Sequence, residues 1–136
     1  MNKNKMRKIL LAEDDPNCSS AMKFLLELND YTVNVANNGF EAVIMAANEE
    51  FNLILMDNEM PVMNGIRAAK AIRETDKDVI IISISSRNDR EYIDECQVCG
   101  MNGHVPKLTI VEVIKNNELE EAINFMIEDG RETINE

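Results

Sequence analysis

The sequence predicts an α/β fold: a doubly wound parallel sheet of five strands with helices on both faces. Short apolar runs alternate along the chain with segments of helical period, as in repeated strand–helix–strand units. The runs also differ in kind. Leu53–Met56 (LILM) and Val79–Ser85 (VIIISIS) are nearly continuously apolar, as central parallel strands are, while two others carry marks of a sheet edge. A length of 136 residues suits one domain, read here as a core over about 7–128 and a polar tail over 129–136.

Strand one is expected over Arg7–Ala12. Asp15 can cap the helix that follows and Pro16 suits its first turn, with Met22, Leu25, Leu26 and Leu28 as the apolar face. Strand two, Tyr31–Ala36, alternates Tyr31, Val33 and Val35 with polar neighbours and reads as an edge. Asn37, Asn38 and Gly39 form a turn into a helix carrying Phe40, Val43, Ala46 and Ala47. Strand three, Asn52–Met56, ends at Asp57, and Pro61–Gly65 leads into a helix marked by Ile66, Ala69 and Ile72, with Arg67, Lys70 and Arg73 on its polar side. Strand four is Val79–Ser85. The next helix, about Asp89–Gly100, carries Tyr92, Ile93, Cys96 and Cys99.

Strand five is expected over His104–Lys107. Pro106 within it cannot donate to a ladder, which places the strand at the other edge. Edges at strands two and five match the flavodoxin-like order 2-1-3-4-5. Leu119, Ala122, Ile123, Met126 and Ile127 mark a final helix over the sheet.

A formal net charge of -11 disfavours direct contact with nucleic acid or anionic membrane and favours basic partners and cations. No apolar run has membrane-spanning length, and the basic start MNKNKMRK lacks a signal-peptide core. With Cys18, Cys96 and Cys99 an odd set in a domain that needs no staple, the expected compartment is the cytoplasm. Cys96-Gln-Val-Cys99 would close a helix rather than open one, so these thiols are read as packed and inert.

In this strand order the carboxyl ends of strands one, three, four and five converge, where open α/β sheets place their chemistry. They deliver Glu13 and Asp14, Asp57, Ser85 and Lys107. Three carboxylates so close repel unless a cation sits among them, and an all-oxygen set suits Mg²⁺. A lysine and a hydroxyl beside them suit a phosphoryl group, with Asp57 as its nucleophile.

The stretches ILLAEDDP, LILMDNEMPVMNG, IIISISS and GMNGHVPK resemble those of response-regulator receiver domains of two-component signalling, from about Arg7 to Ile127. The likeness takes in chemotaxis-regulator-like receivers and, through the MNG and GMNGH segments, those attached to hybrid histidine kinases. It implies that Asp57 accepts phosphate from a sensor histidine kinase or histidine phosphotransfer protein and that a downstream protein reads the result. Glu13, Asp14, Asp57 and the Glu59 backbone carbonyl would hold Mg²⁺, Ser85 would be the switch hydroxyl and Lys107 the phosphate contact. Such a domain catalyses its own phosphorylation and dephosphorylation without being an enzyme in the ordinary sense. A second copy is a further candidate partner.

The sequence departs from the family pattern in three places. Leu108 stands where a proline usually follows the lysine, so either a cis peptide is retained without it or Lys107 arrives by another backbone path. His104 replaces an aromatic residue that turns inward on switching, and it reads equally as a surface histidine on an edge strand. About five extra residues follow Lys107, and Thr109–Ile114 has strand-like composition, which extends strand five or forms an added element. Arg87 and Glu59 are expected to pair across the mouth of the site.

Three other readings compete. A dehalogenase-like phosphatase would carry its nucleophile on strand one in a DxD arrangement, which Glu13-Asp14-Asp15-Pro16 does not supply. A flavodoxin would want hydroxyls and amides in its first loop, where this chain is acidic. A degenerate receiver would serve only as an interaction module. No helix-turn-helix follows Glu128, so the chain reads as a stand-alone receiver or a fragment of a longer kinase or regulator.

Overall fold

The computed structural model describes residues 7–129. Five strands, β1 (Lys8–Ala12), β2 (Thr32–Ala36), β3 (Leu53–Met56), β4 (Ile80–Ser83) and β5 (Gly103–His104), form one sheet in the order β2-β1-β3-β4-β5. All four pairings are parallel. This is the expected order, and the two edges are the expected ones.

The helices are α1 (Pro16–Leu28), α2 (Gly39–Asn48), α3 (Gly65–Arg73), α4 (Arg90–Val98), α5 (Lys107–Lys115) and α6 (Leu119–Asp129). The two-residue period of the strands divides the core between the sheet faces. Ile9 and Leu11 of β1 join α1, α5 and α6 through Met22, Leu26, Ile110, Ile114, Ile123 and Met126. Leu10 and Ala12 join α2, α3 and α4 through Ala42, Ala69, Ile72, Tyr92 and Cys96.

Short polar residues start the helices where the sequence places them. Asp15 caps α1 by accepting from Asn17 N–H, with Pro16 in the first turn. Asn38, Asn64 and Asp89 cap α2, α3 and α4 in the same way. Gly65 is required by contact rather than by turn type, since a Cβ there would lie 2.2 Å from the Asp57 carbonyl oxygen. The start of α3 is thereby seated directly on the loop that carries Asp57.

Several expectations are corrected. Strand five is only Gly103–His104, and Pro106 lies beyond it, at the N-cap of α5. Thr109–Ile114 does not extend that strand: it lies inside a helix, because Ile110 and Ile114, four apart, both fit the core. It is the added element. On α2 the buried face is Gly39 and Ala42, which leaves Phe40 half exposed, and Leu28 at the end of α1 is also exposed. The tail expected over 129–136 lies, from 130 onward, outside the described residues.

Cys96 and Cys99 are buried, and Cys18 is half-buried; all three are free thiols. Burial is the main cause that raises the Cys18 and Cys99 pKa values to about 11, and it raises that of Cys96 as well. The C-x-x-C pair is core, as expected. No described helix is long and apolar enough to cross a membrane.

Candidate phosphoryl-acceptor site

The strand ends bring five side chains to one edge. Glu13 follows β1 and is 1% exposed, while Asp14 beside it faces solvent. Asp57 follows β3 and is 3% exposed; Ser85 follows β4 and is buried. One carboxylate oxygen from each of Glu13, Asp14 and Asp57 lies within 4.8 Å of the others. At that spacing three negative charges need a counter-charge.

Lys107 supplies part of it. Its Nζ lies 2.9 Å from Glu13 Oε1 and 3.2 Å from Asp57 Oδ2. The lysine is the first residue of α5, with Pro106 extended as the N-cap (ψ 145). No cis peptide occurs among the described residues. Lys107 therefore arrives by another backbone path: a helix start, not a proline-marked loop, aims its side chain at the acids.

The electrostatics follow from burial. Desolvation, then the Glu13 charge, push the Asp57 carboxyl up to about 6, with Lys107 and the Asn58 N–H opposing them. Burial works against the Lys107 ammonium, but Glu13 and Asp57 outweigh it and hold its pKa above the ordinary lysine value. Asp57 Oδ1 accepts from Asn58 N–H at 2.8 Å, and Glu13 Oε2 accepts from Asp15 N–H at 3.1 Å. Among the described residues, Glu13 Oε1, buried, meets the Lys107 ammonium as an ion pair without a formed hydrogen bond. A buried carboxylate oxygen left in that state, in an all-oxygen cluster, fits a hard cation such as Mg²⁺.

Ser85 Oγ accepts from Arg87 N–H at 3.1 Å. The Arg87 guanidinium does not reach across to Glu59. It forms two hydrogen bonds to Asp89, at 3.1 and 2.9 Å, and lies over the Tyr92 ring at 4.9 Å. Glu59 instead accepts from Asn58 Nδ2 at 3.2 Å. The short Arg87-to-Asp89 reach within one loop outcompetes a longer span.

For His104 two readings stood open, and the structure decides between them: it is fully buried, not on the surface of an edge strand. Its Nδ1 lies 2.9 Å from Ser83 Oγ, which shares a 2.8 Å hydrogen bond with Tyr92 OH. The Tyr92 ring meets the imidazole edge-on, centroids 5.4 Å apart. Burial pushes the His104 pKa down to about 4, with the Arg87 backbone acting weakly the other way. Ser83 and Tyr92 escaped the sequence reading as polar partners, although Ser83 lies two residues before Ser85, the spacing that sets side chains on one side of an extended chain.

The sequence matches the response regulator receiver domain over residues 9–124. It is 38% identical over 84 residues to the transcriptional regulatory protein CpxR homolog of Haemophilus influenzae, an alignment covering 62% of this chain and 36% of that protein. It is 34% identical over 116 residues to hybrid signal transduction histidine kinase B of Dictyostelium discoideum, covering 76% of this chain and 6% of that one. Among solved structures it resembles chemotaxis response regulator CheY4 of Vibrio cholerae, with a TM-score of 0.78 and 26% identity over 88% of this chain and 99% of that one. The chain thus spans about a third or less of these two curated relatives.

Proposed function

Because the chain belongs to the response regulator receiver domain family of two-component phosphorelay signalling, we propose that Asp57 is its phosphoryl acceptor. The observation that carries this reading is the convergence of Glu13, Asp14 and Asp57 within 4.8 Å, with Lys107 Nζ 3.2 Å from Asp57 Oδ2. An Asp57 carboxylate oxygen attacks phosphorus, forming an O–P bond as the P–N bond to a donor histidine breaks and the imidazole leaves. Lys107 holds a phosphoryl oxygen as charge develops on it, and the Ser85 hydroxyl, whose oxygen accepts from Arg87 N–H, donates its own proton to another. Glu13, Asp14, Asp57 and the Glu59 carbonyl would hold Mg²⁺. When bound, the ion supplies charge neutralisation at the phosphoryl oxygens.

On this reading the domain catalyses its own phosphorylation and dephosphorylation and changes a protein-binding surface; His104 and Arg87 act beside the switch. Its donor is a sensor histidine kinase or histidine phosphotransfer protein, and its reader is another protein. The formal charge of -11 argues that residues 7–128, taken as one receiver unit, do not themselves contact nucleic acid. Free thiols accord with a cytoplasmic setting. The reach of Lys107 to both acids favours an active site over a degenerate interaction module.

Incubation with acetyl phosphate and Mg²⁺, followed by intact mass measurement, tests the proposal. Wild type should gain about 80 Da, and Asp57→Asn should not. An unmodified wild type, or an adduct retained in the variant, contradicts it.

A further inference from the structure

Asn58, directly after Asp57, is 7% exposed. A buried amide is costly unless its donors and acceptors are met, and here each finds a partner in the loop or in the helix beyond it. The Asn58 N–H donates to Asp57 Oδ1 at 2.8 Å, and its backbone carbonyl accepts from Gly65 N–H at 3.1 Å. In the side chain, Oδ1 accepts from Ile66 N–H at 3.0 Å and Nδ2 donates to Glu59 Oε2 at 3.2 Å.

These bonds answer a need of α3, because the first N–H groups of a helix have no partner within it. The side chain of the N-cap Asn64 takes that of Arg67. Those of Gly65 and Ile66 are both taken by Asn58, from across the loop. Residues 59–64 therefore hang between two points that Asn58 itself ties together. Packing tightens the closure, since a Cβ on Gly65 would lie 3.0 Å from Asn58 Cα.

We propose that Asn58 is a positioning residue for the phosphoryl site: by fastening the loop to the start of α3, its side chain fixes the Asp57 carboxylate and the Glu59 carbonyl, its two neighbours in the chain, in the arrangement that Mg²⁺ requires. This role rests on Asp57 being the acceptor. Without the side-chain bonds the peptides on either side of Asn58 gain freedom to rotate. One of them carries the N–H that holds Asp57 Oδ1, and the other leads to Glu59. Glu13 and Asp14 follow β1, on a separate support, so loosening the loop spoils the match between two halves of the ligand set without removing a ligand. Groups that orient metal ligands in this way commonly contribute about 10- to 100-fold to metal affinity or rate while touching neither metal nor substrate. A cap that served stability alone would leave both unchanged in the protein that folds.

The test uses the full chain with Mg²⁺ and acetyl phosphate. Asn58→Leu and Asn58→Ala delete both side-chain bonds and keep the backbone N–H, whereas Asn58→Asp keeps the acceptor for Ile66 N–H. Far-ultraviolet circular dichroism in EDTA identifies the variants that fold, and calorimetric titration with Mg²⁺ gives the affinity without any phosphodonor. The Leu and Ala variants should bind Mg²⁺ at least about 10-fold more weakly than wild type, and be labelled at least about 10-fold more slowly at saturating Mg²⁺. Asn58→Asp should keep at least about a third of the wild-type saturated rate, because a carboxylate is as good an acceptor at a helix start. Its added charge can draw Mg²⁺ but cannot restore a rate measured at saturation. A folded Leu or Ala variant that keeps either the wild-type affinity or the wild-type rate would overturn the proposal. So would Asn58→Asp labelled as slowly as about a tenth of wild type, which decides the matter even where the two deletions do not fold. An unlabelled wild type contradicts the acceptor reading instead, and the Mg²⁺ affinities then still decide the role of Asn58.

Discussion

At the level of single residues, Lys107 is the side chain whose loss should matter most after Asp57. It is the cation nearest both buried acids, so Lys107→Met should slow acetyl-phosphate labelling by about 100-fold, as removal of one preorganised charge at a developing anion commonly does. The measurement is the initial rate of adduct formation by mass. Its presence at the site was legible from its place at the carboxyl end of the expected strand five. Its route was not, because nothing local to Pro106-Lys107-Leu108 distinguishes a loop from a helix start.

His104 should set an acid limit on stability. Its folded pKa, about 4, lies below the ordinary value of 6.5, so the unfolded chain binds the proton more readily. Stability is therefore full above pH 6.5 and falls as the pH drops toward 4, by on the order of 3 kcal/mol. Asp57, raised to about 6, works the other way in metal-free protein. The difference between wild type and His104→Phe in urea unfolding from pH 7 to 4 isolates the histidine, and the variant should show a shallower loss. The sequence left His104 balanced between surface and interior, since the Ser83 and Tyr92 partners that admit an imidazole come from two other elements.

Val62, in the loop after Asp57, has φ 72, a region that strains a β-branched residue. It is 75% exposed, so no packing requires valine. Val62→Asn should stabilise the fold by about 1 kcal/mol, read as a shift in the urea midpoint at unchanged slope.

At the scale of elements, α5 is the piece that turns sequence into site. Ile110 and Ile114 pin it to the sheet, and its first residue is Lys107. Ile110→Ala should cost about 2–5 kcal/mol by leaving a cavity. It should also slow phosphorylation in the protein that remains folded, since the lysine loses its rigid mount. The strand-like composition of Thr109–Ile114 misled because β propensity yields readily to tertiary packing. The four-residue spacing of its two isoleucines was the better signal. The central strands were easier to read, since Leu53–Met56 and Ile80–Ser83 are buried on both faces and need no partner to declare themselves.

At the scale of the molecule, sheet order was legible in part: strand two announced an edge by alternation, whereas strand five was placed at the other edge by a proline that lies beyond it, so that placement came out right without the ladder argument that led to it. Order then brought distant acids together: Glu13 and Asp57 are 44 positions apart in sequence but adjoin because β1 and β3 pair directly. What the chain's pattern could not reveal were contacts decided by local competition, such as Arg87 choosing Asp89 over Glu59. A clustered set of acids also predicts metal linkage. Mg²⁺ at about 100 times its dissociation constant should stabilise the native state by about 2.7 kcal/mol, seen as a raised melting temperature that EDTA reverses and Asp57→Asn diminishes.

The central claim is that Asp57 carries the phosphoryl group. Borohydride reduction of the protein after acetyl phosphate and Mg²⁺ treatment, followed by peptide sequencing in the mass spectrometer, reads the acceptor directly, because an aspartyl phosphate is reduced to homoserine. Homoserine at position 57, and at no other carboxylate, is the predicted result. An unreduced Asp57 in a protein that carries the phosphoryl mass, or homoserine at Asp14 instead, would contradict it.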